Sequence, residues 1–143
     1  MTNPLHILKL SVGTECVDDL LAWQDQYRRK YTDGLPRHVT RMWPKRAEEI
    51  LNGGSIYWVI KGQILCRQPI LGLTEVDRGD GIRRCGIVLD PEVIRTTAAP
   101  RRPFQGWRYL KPEDAPVDLP KGREEEEALP AELSAALAEI GLL

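Results

Sequence analysis

Two short stretches concentrate the side chains best suited to hold an anionic ligand with a planar ring. Residues 41–62 read RMWPKRAEEILNGGSIYWVIKG and residues 101–116 read RRPFQGWRYLKPEDAP. Together they contain three of the four Trp and the only Phe, interleaved with Arg and Lys. Guanidinium groups pair with phosphate through two parallel bonds and also stack on rings. Aromatic faces stack on bases with little regard to sequence. The candidate cations are Arg41, Lys45, Arg46, Arg101, Arg102 and Arg108, and the candidate stacking groups are Trp43, Trp107 and Tyr109. On a strand, Trp107 and Tyr109 would share a face with Arg108 opposed. The same residues admit a plainer reading, with the cations solvated or ion-paired and the aromatics in the core. For Trp58 the core is the better reading.

Other chemistry has less to stand on. Lys45, Lys61, Tyr57 and Glu49 would supply an acid, a base or a nucleophile only if the fold brought them together. Glu48 and Glu49 equally suit ordinary ion pairs along a helix. There is no phosphate-binding glycine loop and no GxSxG element. His6 and His38 lack the HxH or HxxxH spacing of a metal site, and Cys16, Cys66 and Cys85 form no CxxC. No metal and no cofactor is expected. The odd cysteine count suits a reducing compartment. The start MTNPLHILKL lacks the layout of a signal peptide, and no apolar run is long enough for a membrane span. A cytoplasmic protein is expected.

Charge is balanced in total and uneven along the chain. Residues 1–36 carry 4 basic and 5 acidic side chains; residues 37–111 carry 14 and 7, a net of +7; residues 112–143 carry 2 and 9, a net of −7. A basic body suits a polyanionic partner, and an acidic tail suits either competition for that surface or simple neutralisation of it.

The elements that would position these groups follow from periodicity. Residues 5–12 alternate as a strand. Thr14 is the expected N-cap of a helix running to about Lys30, with Val17, Leu20, Leu21, Gln24 and Tyr27 at helical spacing and cations in its last turn. Pro44 is expected at the first position of a short helix that Asn52, Gly53 and Gly54 stop. Residues 55–60 form a strong strand, with Ile56, Trp58 and Ile60 on one face. Residues 63–76 form a second, which Pro69 marks as an edge or a bulge. DRGDG at 77–81 is a hairpin turn, and residues 82–89 return as a strand. Shorter strands are expected at 93–97 and 104–110. From residue 120 the chain is an acidic segment followed by an amphipathic helix with Leu133, Leu137 and Ile140 on one face, able to pair with a second copy. The pattern predicts one α+β domain over residues 1–119, with a small, bent antiparallel or mixed sheet or barrel and two or three helices.

The strings PKRAEEILNGGSIYWVIKGQILCRQ, RRCGIVLDPEV and RRPFQGWRYLKPEDAP resemble a family of alphaproteobacterial proteins, domain of unknown function 1489, over about residues 4–119. The family has no established activity to carry over. Residues 44–76, a short helix ending in Gly-Gly followed by strand, turn and strand, look more distantly like the PUA-like superfamily, which includes ASCH and EVE domains. That likeness implies a bent barrel with a cleft for RNA or a modified base. The catalytic set of its amidohydrolase members is not seen. The expectation is a nucleic-acid or nucleotide-binding module, with RNA or a nucleotide as partner. The alternatives are an enzyme acting on a small nucleoside-like or anionic substrate, or a protein–protein interaction module.

Overall fold

The run SIYWVI is β-branched or aromatic at five of six positions, and it forms a strand, β3 (Ser55–Ile60), buried throughout. Ile56, Trp58 and Ile60 face one core cluster with Ile7, Leu20 and Ile87. Tyr57 and Val59 face a second with Leu8, Ile64 and Leu110. Both faces of the sheet are therefore covered. A computed structural model describes residues 4–120. Around β3 stand β1 (His6–Leu10), β2 (Arg37–Thr40), β4 (Gln63–Val76), β5 (Arg84–Leu89), β6 (Ile94–Pro100) and β7 (Trp107–Leu110). They make one curled, half-barrel sheet of order β2-β5-β4-β3-β1-β7, with β6 also paired to β4. The expected α+β class with a small bent sheet holds. The sheet is mixed: β1 runs parallel to β3, with Ile7 opposite Ile56 and Lys9 opposite Trp58. The main helix is α1 (Val17–Tyr27), followed by a 3-10 turn at Arg28–Lys30; α2 (Ala47–Ile50) is a single turn.

Lys61 and Gly62 turn β3 into β4, with φ of 51° and 81°. Two positive φ values in a two-residue loop match the right-handed twist of the flanking strands. Over its first part β4 pairs with β3 and β6, and from Ile70 it pairs with β5. Pro69, which has no N–H to give, falls at the changeover, and the expected bulge follows between Ile70 and Gly72.

Two helix starts differ from expectation. Thr14 is not the N-cap of α1: its hydroxyl donates to the Ser11 carbonyl at 3.0 Å. Cys16 takes the cap position without a side-chain bond. Asp19 stabilises the start instead, accepting the Glu15 N–H at 2.9 Å. Pro44 precedes α2 without opening it, because Arg46 is non-helical and its N–H donates to Tyr109 Oη at 3.1 Å. Strand β2, RHVT, was not expected at all; it forms on β5, with His38 opposite Ile87.

Residues 117–119 lie along β6. Thr97 N–H donates to the Val117 carbonyl and Leu119 N–H to the Arg95 carbonyl, both at 2.9 Å. The Arg67 guanidinium grips both Asp118 oxygens at 2.8 Å and reaches Ser55 Oγ at 2.8 Å. That charge-assisted fork holds the Asp118 carboxyl below its usual range. The acidic stretch and amphipathic helix expected further on lie outside the described residues.

Candidate functional site

The two aromatic-cationic stretches touch, and they touch by packing. Trp107 donates its indole N–H to the Met42 carbonyl at 2.9 Å. Its ring meets Tyr109 edge-on, centroids 4.9 Å apart. The Arg46 guanidinium lies 5.6 Å from the Tyr109 ring and is bonded to Glu49. Trp107 is only 4% exposed, so no ring face remains for a ligand. Trp43 packs on the core under the Arg83 guanidinium, 4.1 Å from its ring. Arg41 and Lys45 stay exposed on the same loop. The other three cations lie elsewhere. Arg108 points to the opposite sheet face and stacks 5.0 Å from Phe104. Arg101 donates to the carbonyls of Pro100 and Asp114, and Arg102 is exposed in the β6–β7 loop. The stretch that looked like a stacking platform thus fastens the 41–46 loop to β7.

The groups considered for acid–base chemistry do not converge. Tyr57 is buried in the second core cluster, and desolvation raises its pKa. Glu49 is engaged by Arg46, whose hydrogen bond lowers the carboxyl's pKa, and Lys45 faces solvent. Burial pushes the Cys66 thiol up to about 12 and that of Cys85 to about 11, so both are inert at neutral pH. His6 accepts the Ser55 N–H on Nδ1 at 3.0 Å, and burial followed by the Arg67 charge holds it below its usual range. Among the described residues no group of His, Cys, Asp or Glu is placed to hold a metal.

A different concentration lies where the end of α1 meets β2. A cleft of about 320 Å³ opens there, at the low end of the roughly 300–1,000 Å³ usual for small-molecule sites. Trp23, Tyr27 and Tyr31 supply its aromatic walls, and Trp23 is 49% exposed. Trp23 and Tyr27, one helical turn apart, have ring centroids 4.9 Å apart. Arg28, Lys30, Arg37 and Arg78 line the same cleft, and among the described residues no carboxylate does. Arg28 pairs with Asp25 at 3.2 Å. Among the described residues Lys30 and Arg78 have no ion-pair partner. Arg37 stacks 4.0 Å over Tyr31 and bonds to Asp33, yet its Nε is buried with no hydrogen-bond partner among the described residues, on a side chain 10% exposed.

A second cavity, of about 240 Å³, adjoins the first and shares Trp23 and His38 with it. Lys9, Leu20 and Trp58 line it too, with residues 10–12 and Thr14. A buried amide pair clamps α1 beside it: Gln24 and Gln68 exchange bonds of 2.7 and 2.8 Å, and Trp58 donates its indole N–H to Gln68 Oε1 at 2.8 Å. Gln68 Nε2 also reaches the Asp90 carbonyl at 3.0 Å.

Burial, with the Lys9 charge second, pushes His38 from 6.5 down to about 4. The unfolded chain therefore binds more protons between those two values. Stability contributed by neutral His38 is complete above pH 6.5 and is lost as pH falls towards 4. Its ceiling is about 3 kcal/mol. Urea midpoints measured at pH 7.5, 5.5 and 4.5 should fall markedly for the native chain and less for His38→Phe. Equal losses in both would contradict this.

Arg28 and Lys30, among the cations expected to complement the α1 dipole, line the cleft, and His38 lines both spaces. The usable signal was Trp23 four residues before Tyr27, which puts two large rings on one exposed helix face.

A curled mixed sheet with one main helix, and a cleft beside that helix walled by rings and cations, make this an α+β domain. The chain belongs to the family described as Protein of unknown function (DUF1489), whose model matches residues 7–143. The match takes in the acidic tail, which the resemblance drawn from the sequence strings had left out. No curated protein and no solved structure matches the chain. No helix of the described residues is long and apolar enough to cross a membrane.

Proposed function

We propose that this protein is a nucleic-acid or nucleotide-binding module and that its ligand docks in the cleft beside α1. The observation that carries the reading is the joining of three aromatic side chains and four cations around one cleft, with no carboxylate of the described residues in its lining. Cations neutralise phosphate, and rings stack on bases. The excess of seven positive charges over residues 37–111 and the PUA-like pattern of residues 44–76 support the same reading. The exposed Arg41 and Lys45 extend the electrostatic footprint, while Trp107 and Tyr109 position their loop. A cytoplasmic setting belongs to the proposal.

Fluorescence anisotropy with single-stranded RNA and DNA tests it. Binding should weaken steeply between about 50 and about 200 mM salt. Lys30→Ala with Arg78→Ala should weaken it about tenfold and reduce the salt slope by about two. Arg102→Ala with Arg108→Ala should change it little. No binding at low salt, or binding indifferent to loss of Lys30 and Arg78, would overturn the proposal.

A further inference from the structure

We propose that the cleft and the adjoining cavity form one two-part site for a single nucleoside phosphate, with the phosphate among the cations beside α1 and the ring in the pocket beyond Trp23, where carbonyl-bearing rings are preferred. The inference rests on the binding function above and names its ligand. Trp23 and His38 line both spaces, so a molecule held in one abuts the other. At the phosphate end, Arg37 Nε is a buried donor with no partner, and Lys30 and Arg78 are free of ion pairs among the described residues. An anion there satisfies a group that is otherwise costly to bury.

The ring end is flanked by two indoles of different character. Trp58 is buried and fixed by its bond to Gln68, which makes a rigid wall. Trp23 is half exposed and makes the outer one. The polar groups in this pocket are mostly donors. Lys9 gives one ammonium N–H to the Leu10 carbonyl at 2.9 Å and keeps two. The His38 ring makes no hydrogen bond among the described residues and, being neutral, offers one donor and one acceptor. The hydroxyls of Ser11 and Thr14 are bonded to each other at 2.7 Å. A surplus of donors suits the carbonyl oxygens of guanine or uracil. Uracil presents two such oxygens and guanine one, whereas adenine presents none.

Calorimetric titration of the full chain with uridine, guanosine and adenosine monophosphates, and with ribose 5-phosphate, tests this. The uridine and guanosine compounds should bind at least about tenfold more tightly than the other two. Lys9→Met should shrink that difference while leaving affinity for ribose 5-phosphate unchanged. The comparison on the native chain stands even if a variant fails to fold. Equal binding of the adenosine and uridine compounds, or of ribose 5-phosphate and any nucleotide, would overturn the two-part site. If oligonucleotides still bound in the salt-dependent way described above, the binding function would survive that result. If neither oligonucleotide nor mononucleotide bound, both would fall.

Discussion

Gly54→Ala is expected to lower the unfolding free energy by more than about 3 kcal/mol, enough to leave much of the chain unfolded at 37 °C. Three segments meet at this residue. Its N–H donates to the Ile50 carbonyl at 2.9 Å, its carbonyl accepts from Ile70 at 3.0 Å, and Leu5 bonds to Glu49 alongside at 3.1 Å. A Cβ would run into the Leu5 carbonyl oxygen and lie 2.5 Å from that of Ile50. Both obstacles are backbone, so no side-chain rotation relieves them. The neighbouring Gly53 is the control. Its φ of +92° disfavours alanine, but a Cβ there meets only Pro4, at 3.9 Å. Gly53→Ala should cost about 1–2 kcal/mol. Urea denaturation of the two variants measures the contrast, and similar midpoints would show that the β1–α2 junction yields.

Gln68→Leu carries the second large expectation, a loss of about 3 kcal/mol. The substitution leaves the Gln24 amide and the Trp58 indole N–H buried without partners, so the cost is that of stranded polar groups rather than of missing volume. Gln24→Leu combined with Gln68→Leu should recover part of the loss, because it removes both halves of the amide pair and leaves only the indole unpaired. Denaturation midpoints of the two single variants and the double variant form a cycle that reads the coupling. Strict additivity would mean that the amide pair does not act as a unit. The same variants bear on the proposed binding, since Gln24, with Val17 and Leu20, seats α1, and with it Trp23, against the sheet.

Local signals were legible where local physics decides. The SIYWVI strand, the DRGDG hairpin and the stop at Gly53 and Gly54 depend on neighbours in sequence, and each lies where alternation or turn chemistry puts it. Strand β2 was not legible. RHVT has little apolar content and becomes a strand only because β5 offers it an edge. The parallel register of β1 on β3 was equally hidden, since it joins residues 7 and 56 across the whole first crossover. The candidate site inherited this blindness. Its walls come from α1, the turn after it, β2 and the β4–β5 turn, so the cleft does not exist until β2 is in place. Density of Trp and Arg along the chain drew notice to residues 101–109, where tertiary contacts turn Trp107 into a core residue. The modest YRRKY, by contrast, ends up facing open space.

The length of β4 has a consequence for how the molecule holds together. Its fourteen residues serve β3 and β6 at one end and β5 at the other, with a single proline-marked changeover between them. There is accordingly no seam along which the half-barrel divides into two separately stable pieces. Fraying of the β2–β5 edge withdraws support from the same strand that anchors β3, so disorder entering at one side is felt at the other. A cleft walled partly by the small strand β2 thereby draws its rigidity from the far side of the sheet. Cooperativity of unfolding and definition of the cleft become one property, concentrated in one continuous strand.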